Sequence, residues 1–184
     1  EFTMLELYES YSDVYDIMDL TEDMIRNVAK ETGELALKYQ DTTIDLSREF
    51  NRVTLDDLFS KEFKKEGILY NKQKLKSVAK NLDIDTNYDY GKLVDKIFST
   101  KIEPQLIQPT FVYDYPKVLS PLSKIKRDQS EDVVERFELF MGGMEIANAF
   151  SELNDPIDQR SRFMSQEELK DKGDEEAQVL DESF

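Results

Sequence analysis

The chain has 184 residues, 39% hydrophobic and 11% aromatic, so it can form the core of one domain, or of one domain with a small insertion. It contains no Cys and no His, which excludes disulfide frameworks, Cys or His zinc sites and nucleophilic systems that depend on either side chain. The net charge of −16 disfavours a free-standing nucleic-acid binder, and the remaining carboxylate, hydroxyl, Lys and Arg chemistry suits a hard metal such as Mg²⁺.

Residues 1–8 predict a β-strand, because their side chains alternate with period two. Leu5 and Leu7 would face the core, and the opposite face would carry Phe2, Met4, Glu6 and Tyr8. A carboxylate between Met and Tyr is more typical of a pocket floor than of a solvated surface.

The chain opens on Glu1 instead of Met, so we expect a cut inside a larger protein. With no apolar run near ~18 residues, we expect a soluble, intracellular protein.

Residues 13–32 predict an amphipathic helix, because apolar residues recur at helical spacing between acids and lysines. Gly33 stands where a C-terminal helix cap belongs. After it, residues 35–39 and 43–46 flank a Gln-Asp-Thr turn and predict a short hairpin.

A further strand is predicted at residues 52–54, with Thr54 as the N-cap of a helix through Phe63. The pattern then becomes rich in lysine and helical as far as about residue 101, with Asn71 as a cap, which predicts an inserted helical subdomain. Residues 61–80 carry seven Lys and two Glu, a local charge of +5. These lysines form either a solvated helix face or a contact with a phosphate backbone, and the sequence leaves both open.

The last part of the chain predicts strands and one helix. Residues 110–116 form a strand ended by proline, and Gly142-Gly143 separates two apolar-rich runs as a tight hairpin turn would. Asp155-Pro156 is an N-cap followed by proline at the first helical position, which predicts a helix to about Lys172, with Gly173 as its stop. We expect the acidic tail beyond it to be a loop.

The Gly-Gly hairpin places two carboxylates together. With a two-residue turn, paired positions sum to 285, so Glu138 and Glu145 become diagonal neighbours on one face, roughly 7 Å apart. Two carboxylates at that distance can hold one hard cation. The alternative is that both point to solvent, as most of the 40 acids would. Asn148 has the opposite parity from Glu145, so a bulge must lie between them if both face one site.

Three blocks of the sequence resemble the class II lysyl-tRNA synthetases. The first resembles the second strand of that family's motif 2, the next a later strand of the same catalytic domain, and the last the family's signature hairpin. They are residues 1–8, residues 111–116 with 120–122, and residues 136–156. The resemblance implies an α+β fragment between motifs 2 and 3, with an antiparallel sheet, flanking helices and a small helical insertion. The implied divisions are 1–60 and 104–184 for the catalytic core and 61–103 for the insertion.

The resemblance also implies a function and a set of roles. The family activates lysine with ATP to lysyl-adenylate and transfers it to tRNA(Lys), and we expect a cytoplasmic homodimer as the parent enzyme. By resemblance, Glu138 and Glu145 would hold Mg²⁺ against ATP, with Phe2 stacked on adenine. The lysine site would comprise Glu6, Tyr8, Asn148, Phe150 and Glu152, with Tyr8 and Glu152 meeting the side-chain ammonium.

Two departures from the family pattern limit this expectation. Met144 occupies a position usually held by Arg, and motif 1, the motif 2 Arg and the motif 3 Arg are absent from these 184 residues. Because those arginines grip the nucleotide, we expect the isolated chain to be inactive. Two other readings stay open: an acidic α+β interaction domain, and a related enzyme that attaches lysine-like groups to a protein.

Overall fold

A computed structural model describes residues 3–127 and 132–171 of the chain. Its main feature is a four-stranded sheet in the order β3-β4-β5-β6, with a separate hairpin of β1 and β2. The strands are β1 (Ala36–Tyr39), β2 (Thr42–Asp45), β3 (Asn51–Thr54), β4 (Thr110–Pro116), β5 (Val133–Met141) and β6 (Met144–Phe150). The α-helices are α1 (Val14–Thr32), α2 (Leu55–Phe63), α3 (Lys72–Asn81), α4 (Tyr90–Ile97) and α5 (Pro156–Asp171). The α+β class predicted from the sequence is confirmed.

Helix α1 begins and ends where the sequence predicts. Asp13 and Asp16 form a reciprocal capping box that satisfies free N–H groups at its start. Gly33 ends it with φ of 76°, a left-handed conformation that glycine adopts without steric cost. The apolar face, including Val14 and Met18, is buried against the sheet.

The sheet is mixed, whereas the family resemblance implied an antiparallel sheet. Strands β4, β5 and β6 are antiparallel neighbours, but β3 pairs with β4 in parallel. The reason is the connection: α2, α3 and α4 lie between β3 and β4 in the chain, and a crossover of that length returns the chain to the same end of the sheet.

Each face of the sheet has its own hydrophobic core. Strand alternation sends Phe111, Phe137 and Leu139 to the face covered by α1 and the β1-β2 hairpin. Val112, Tyr115, Val134 and Phe140 point the other way and join the side chains of α2, α3 and α4. The helical region therefore shares one continuous core with the sheet.

The predicted strand at the start of the chain is absent from its described part. Residues 3–9 have no secondary structure, and Leu5 and Leu7, expected in the core, are 68% and 42% exposed. An alternating pattern makes a strand only when a neighbouring strand accepts its backbone hydrogen bonds, and none lies beside this segment among the described residues. Phe2 lies outside the described residues.

The helical region and the C-terminal helix follow the predicted caps. The Asn71 side chain accepts the Lys74 N–H at the start of α3, and α4 continues into a π-helical turn through Ile102. Asp155 accepts the N–H groups of Ile157 and Asp158 at the start of α5. The predicted stop at Gly173 and the acidic tail lie outside the described residues. No helix in the described ranges is long and apolar enough to cross a membrane.

Candidate functional site

The Gly142-Gly143 turn joins β5 and β6 as predicted. Both glycines have positive φ, 65° and 74°, and Met141 pairs with Met144 while Phe140 pairs with Glu145. Positive φ at both central positions is the type I′ requirement that favours glycine. The turn also packs closely, because a Cβ on Gly142 would stand 3.1 Å from Cδ1 of Tyr39.

The register shifts just beyond the turn. Phe140 pairs with Glu145, but Leu139 pairs with Ala147 and Glu138 with Asn148, so Ile146 is an extra residue. The bulge required between Glu145 and Asn148 is therefore present. Its consequence is that Glu138, Glu145 and Asn148 all lie on one face of the sheet, as the predicted site requires.

Glu138 is buried on this face and paired with two side chains. Its side chain is only 12% exposed, and Tyr115 donates its hydroxyl to Oε2 at 2.7 Å. Burial, and then the Glu138 charge, raise the pKa of Tyr115 well above its usual value, so this phenol stays protonated and remains a donor. The guanidinium of Arg136 pairs with Oε1.

Arg136 connects the parts of the site. Its guanidinium donates to the Leu119 carbonyl at 2.7 Å, to Ser120 Oγ at 2.9 Å and to Asn148 Oδ1 at 3.2 Å. It also lies 5.0 Å from the centroid of the Tyr115 ring. One cation thus contacts a carboxylate, an amide and a loop, and it holds them together through charge-assisted hydrogen bonds.

Glu145 faces an excess of negative charge. Partial burial raises the pKa of Glu145, the Glu138 carboxylate raises it further, Arg136 lowers it, and Glu103 adds a smaller increase. Burial, followed by Glu138, also raises the pKa of Glu103. After burial, the Glu138 carboxylate is thus the largest cause that disfavours ionisation of both Glu145 and Glu103. Within residues 3–127 and 132–171, no group of three or more acidic side chains is placed to hold a metal by itself.

A second group of carboxylates lies at the end of β6. The Tyr8 hydroxyl donates to Glu6 at 2.6 Å, and the pKa of Tyr8 is raised by Glu6 first and, more weakly, by Glu152. Partial burial raises the pKa of Glu152, and the backbone of Glu152 forms an isolated antiparallel β-bridge with that of Ser123. Tyr8 therefore lies within electrostatic reach of both Glu6 and Glu152, and all three residues were expected at the lysine site.

One hydrogen bond from the backbone to a side chain explains why residues 3–13 lie close to the end of β6. The Val14 N–H, at the start of α1, donates to Ser151 Oγ at 3.1 Å, next to Glu152. The segment that precedes α1 in the chain therefore lies next to the residues that follow β6. Phe150, opposite Arg136 in the register, is half-buried between the two groups, and Phe2 lies outside the described residues.

The sequence argument assigned no role to Arg136, Tyr115 or Glu103. Arg136 carried a usable signal, because it precedes Glu138 by two positions and must share its face in a strand. Tyr115 carried none, because a bulge at Asp114, which has φ of 62°, changes the parity of β4 before it reaches Tyr115. Glu103 begins a short 3₁₀ helix, Glu103–Gln105, and a single turn of this kind is too short for periodicity to predict.

Comparisons with known proteins agree on one family. The family model for tRNA synthetases class II (D, K and N) matches residues 1–184. The lysine–tRNA ligases of Pelotomaculum thermopropionicum, Prochlorococcus marinus (strain MIT 9301) and Moorella thermoacetica are 46%, 44% and 42% identical to this chain. Each match covers 100% of this chain but only 37% or 38% of the relative. The chain thus spans well under half the length of these relatives.

Proposed function

This chain belongs to the class II tRNA synthetases (D, K and N), and we propose that it is a central piece of the aminoacylation domain of a lysine–tRNA ligase. The observation that carries the proposal is the shared face of Glu138, Glu145 and Asn148, produced by the bulge at Ile146. The complete protein would activate lysine with ATP, release pyrophosphate, and transfer the lysyl group to tRNA(Lys).

The lysine side chain would be recognised at the end of β6. An ammonium group that leaves water needs a carboxylate partner, and Glu152 supplies one beside the Glu6–Tyr8 pair. Tyr8 would orient the ammonium through its oxygen, while Asn148 and Phe150 would line the aliphatic part and the backbone of the substrate. The raised pKa of Glu152 reflects burial that an ammonium would compensate.

The ATP side of the site would lie nearer the Gly-Gly turn. Glu138 and Glu145 fit a Mg²⁺ ion in chemistry, since both present carboxylate oxygens on one face and the Glu138 charge raises the pKa of Glu145, an effect that a cation between them would oppose. Mg²⁺ bound there would neutralise charge on the ATP phosphates. Arg136 and Tyr115 would keep Glu138 in place, and Phe2 would stack on adenine.

The wider organisation follows from the same proposal. Residues 1–60 and 104–184 would belong to the catalytic core, with 61–103 as a helical insertion that packs on the sheet. The missing nucleotide-binding arginines would come from the rest of the complete protein, which we propose acts as a homodimer in the cytoplasm, where tRNA is charged.

Amino-acid-dependent exchange of labelled pyrophosphate into ATP tests the proposal directly. The complete protein should support exchange with lysine and not with aspartate or asparagine, the other two substrates of the family model. The 184-residue chain alone should support none, because the arginines that complete the phosphate site lie outside it. Exchange driven by aspartate or asparagine in the complete protein would refute the assignment to lysine.

A further inference from the structure

Helix α3 carries a row of three lysines that the proposed active site does not use. Lys72, Lys76 and Lys80 follow one another at intervals of four residues, so they form a stripe along one side of the helix. Leu75 and Ala79, which define the inward side, are completely buried. The stripe spans about 12 Å of helix length. We call these three residues the lysine row.

The composition of α3 works against its own stability. Its ten residues include four lysines and no acid, so like charges face each other at intervals of four. Lys72 and Lys74 also stand in the first turn, where the helix dipole favours negative charge. Helix α2, by contrast, has Asp56 and Asp57 in its first turn. None of the 40 acidic residues of the chain lies in α3.

The lysine row forms no ion pair within residues 3–127 and 132–171, in contrast to the lysines of the helical stretch that follows it. None of its three ammonium groups forms a salt bridge with any residue in the described ranges, and Lys74, on another side of α3, donates to the Glu66 carbonyl. The lysines of the next helical stretch do have partners. These pairs are Lys92 with the Tyr88 ring, Lys96 with Asp95, and Lys101 with Glu62.

We propose that the lysine row binds the phosphate backbone of an RNA, and that in the complete protein this RNA is the tRNA substrate. This inference rests on the proposed function for the identity of the RNA. A row of unpaired cations at about 6 Å steps suits a chain of regularly spaced negative charges. Phosphate binding would therefore explain why α3 keeps lysines that lower the stability of the helix. A membrane suits it less, because the apolar side of α3 is buried and cannot enter a bilayer.

The test replaces the lysine row by glutamine in the complete protein, as Lys72→Gln, Lys76→Gln and Lys80→Gln together. Glutamine keeps the helix propensity and removes three charges. The matched control is Lys92→Gln, Lys96→Gln and Lys101→Gln, which removes three charges from the neighbouring stretch. We expect the KM for tRNA to rise about tenfold or more in the row variant and much less in the control. Lysine-dependent pyrophosphate exchange, which needs no tRNA, should stay unchanged in both.

The salt dependence of tRNA binding gives a second readout. The slope of log affinity against log salt should become shallower by roughly 2 to 3 in the row variant, as expected for the loss of three phosphate contacts. In the unmodified protein, bound tRNA should protect Lys72, Lys76 and Lys80 from acetylation, a measurement that needs no variant to fold. Equal effects of the two triple variants would overturn the inference, and so would an absence of protection by tRNA. It would also be overturned if the row variant lost binding to phosphatidylserine vesicles while its affinity for tRNA stayed intact. Absence of lysine-dependent exchange in the unmodified protein would instead refute the proposed function.

Discussion

Glu138 lies opposite Asn148 in the β5-β6 hairpin, although a regular hairpin closed by the same two-residue turn would place Ala147 there. Ile146 is the extra residue that causes the offset. Because of it, Glu145 and Asn148, three positions apart, reach the same face as Glu138. The bulge thus lets β6 present both Glu145, proposed for Mg²⁺, and Asn148, proposed for lysine, on the face where β5 presents Glu138.

Replacing Arg136 should destabilise the 184-residue chain. Arg136→Met keeps much of the aliphatic stem but leaves Glu138, which is 12% exposed, without its cation. Removing one partner of such a pair costs about 2 to 4 kcal/mol of unfolding free energy, measurable by urea denaturation. The matched control is Arg48→Met, whose pair with Asp45 is on the surface and should cost under about 1 kcal/mol. Equal losses in the two variants would show that Arg136 does not hold the site together.

Glu145→Gln should change stability in a pH-dependent way. Burial and the Glu138 charge raise the folded-state pKa of Glu145, so ionising it opposes folding at neutral pH. The glutamine variant should therefore be more stable than the original chain at pH 7. The difference should shrink as the pH falls through the folded-state pKa and be absent below the unfolded value of about 4.3. Urea denaturation across this range measures it, and a less stable variant at pH 7 would contradict the argument.

Local signals made most of the fold predictable. Gly33, Thr54 and Asn71 each end or begin a helix in the predicted way, because caps act through backbone groups only a few residues distant. The bulge was predictable for a different reason. Two residues of opposite parity were both expected at one site, and only an extra residue could satisfy both.

What the sequence did not reveal depends on contacts between distant segments. Residues 3–9 alternate like a strand, yet strand formation needs a neighbour that the alternation does not specify. Arg136 binds the carbonyl of Leu119 and the hydroxyl of Ser120, which belong to an irregular loop whose position no periodicity encodes. The Tyr115 contact with Glu138 likewise depends on a bulge in β4.

Alanine at the hairpin turn should be costly. Gly142→Ala forces a Cβ into a left-handed conformation, at about 1 to 2 kcal/mol, and places it 3.1 Å from the Tyr39 ring. Gly33→Ala is the control, because its φ is also positive but a Cβ there would contact nothing within 4 Å. Urea denaturation should show the larger loss at Gly142. Equal losses would mean that the Tyr39 ring moves aside without cost.

Glu152→Gln in the complete protein should weaken lysine binding more than ATP binding. The substitution removes the charge opposite the proposed ammonium position, beside Tyr8, and leaves Glu138 and Glu145 unchanged. Loss of one charge-assisted pair is worth roughly 1.5 to 3 kcal/mol, or about tenfold to a hundredfold in affinity. The KM values for lysine and ATP in pyrophosphate exchange separate the two effects, and Glu31→Gln, on the exposed side of α1, controls for loss of a charge elsewhere. Unchanged lysine affinity with weakened ATP binding would assign Glu152 to the nucleotide instead.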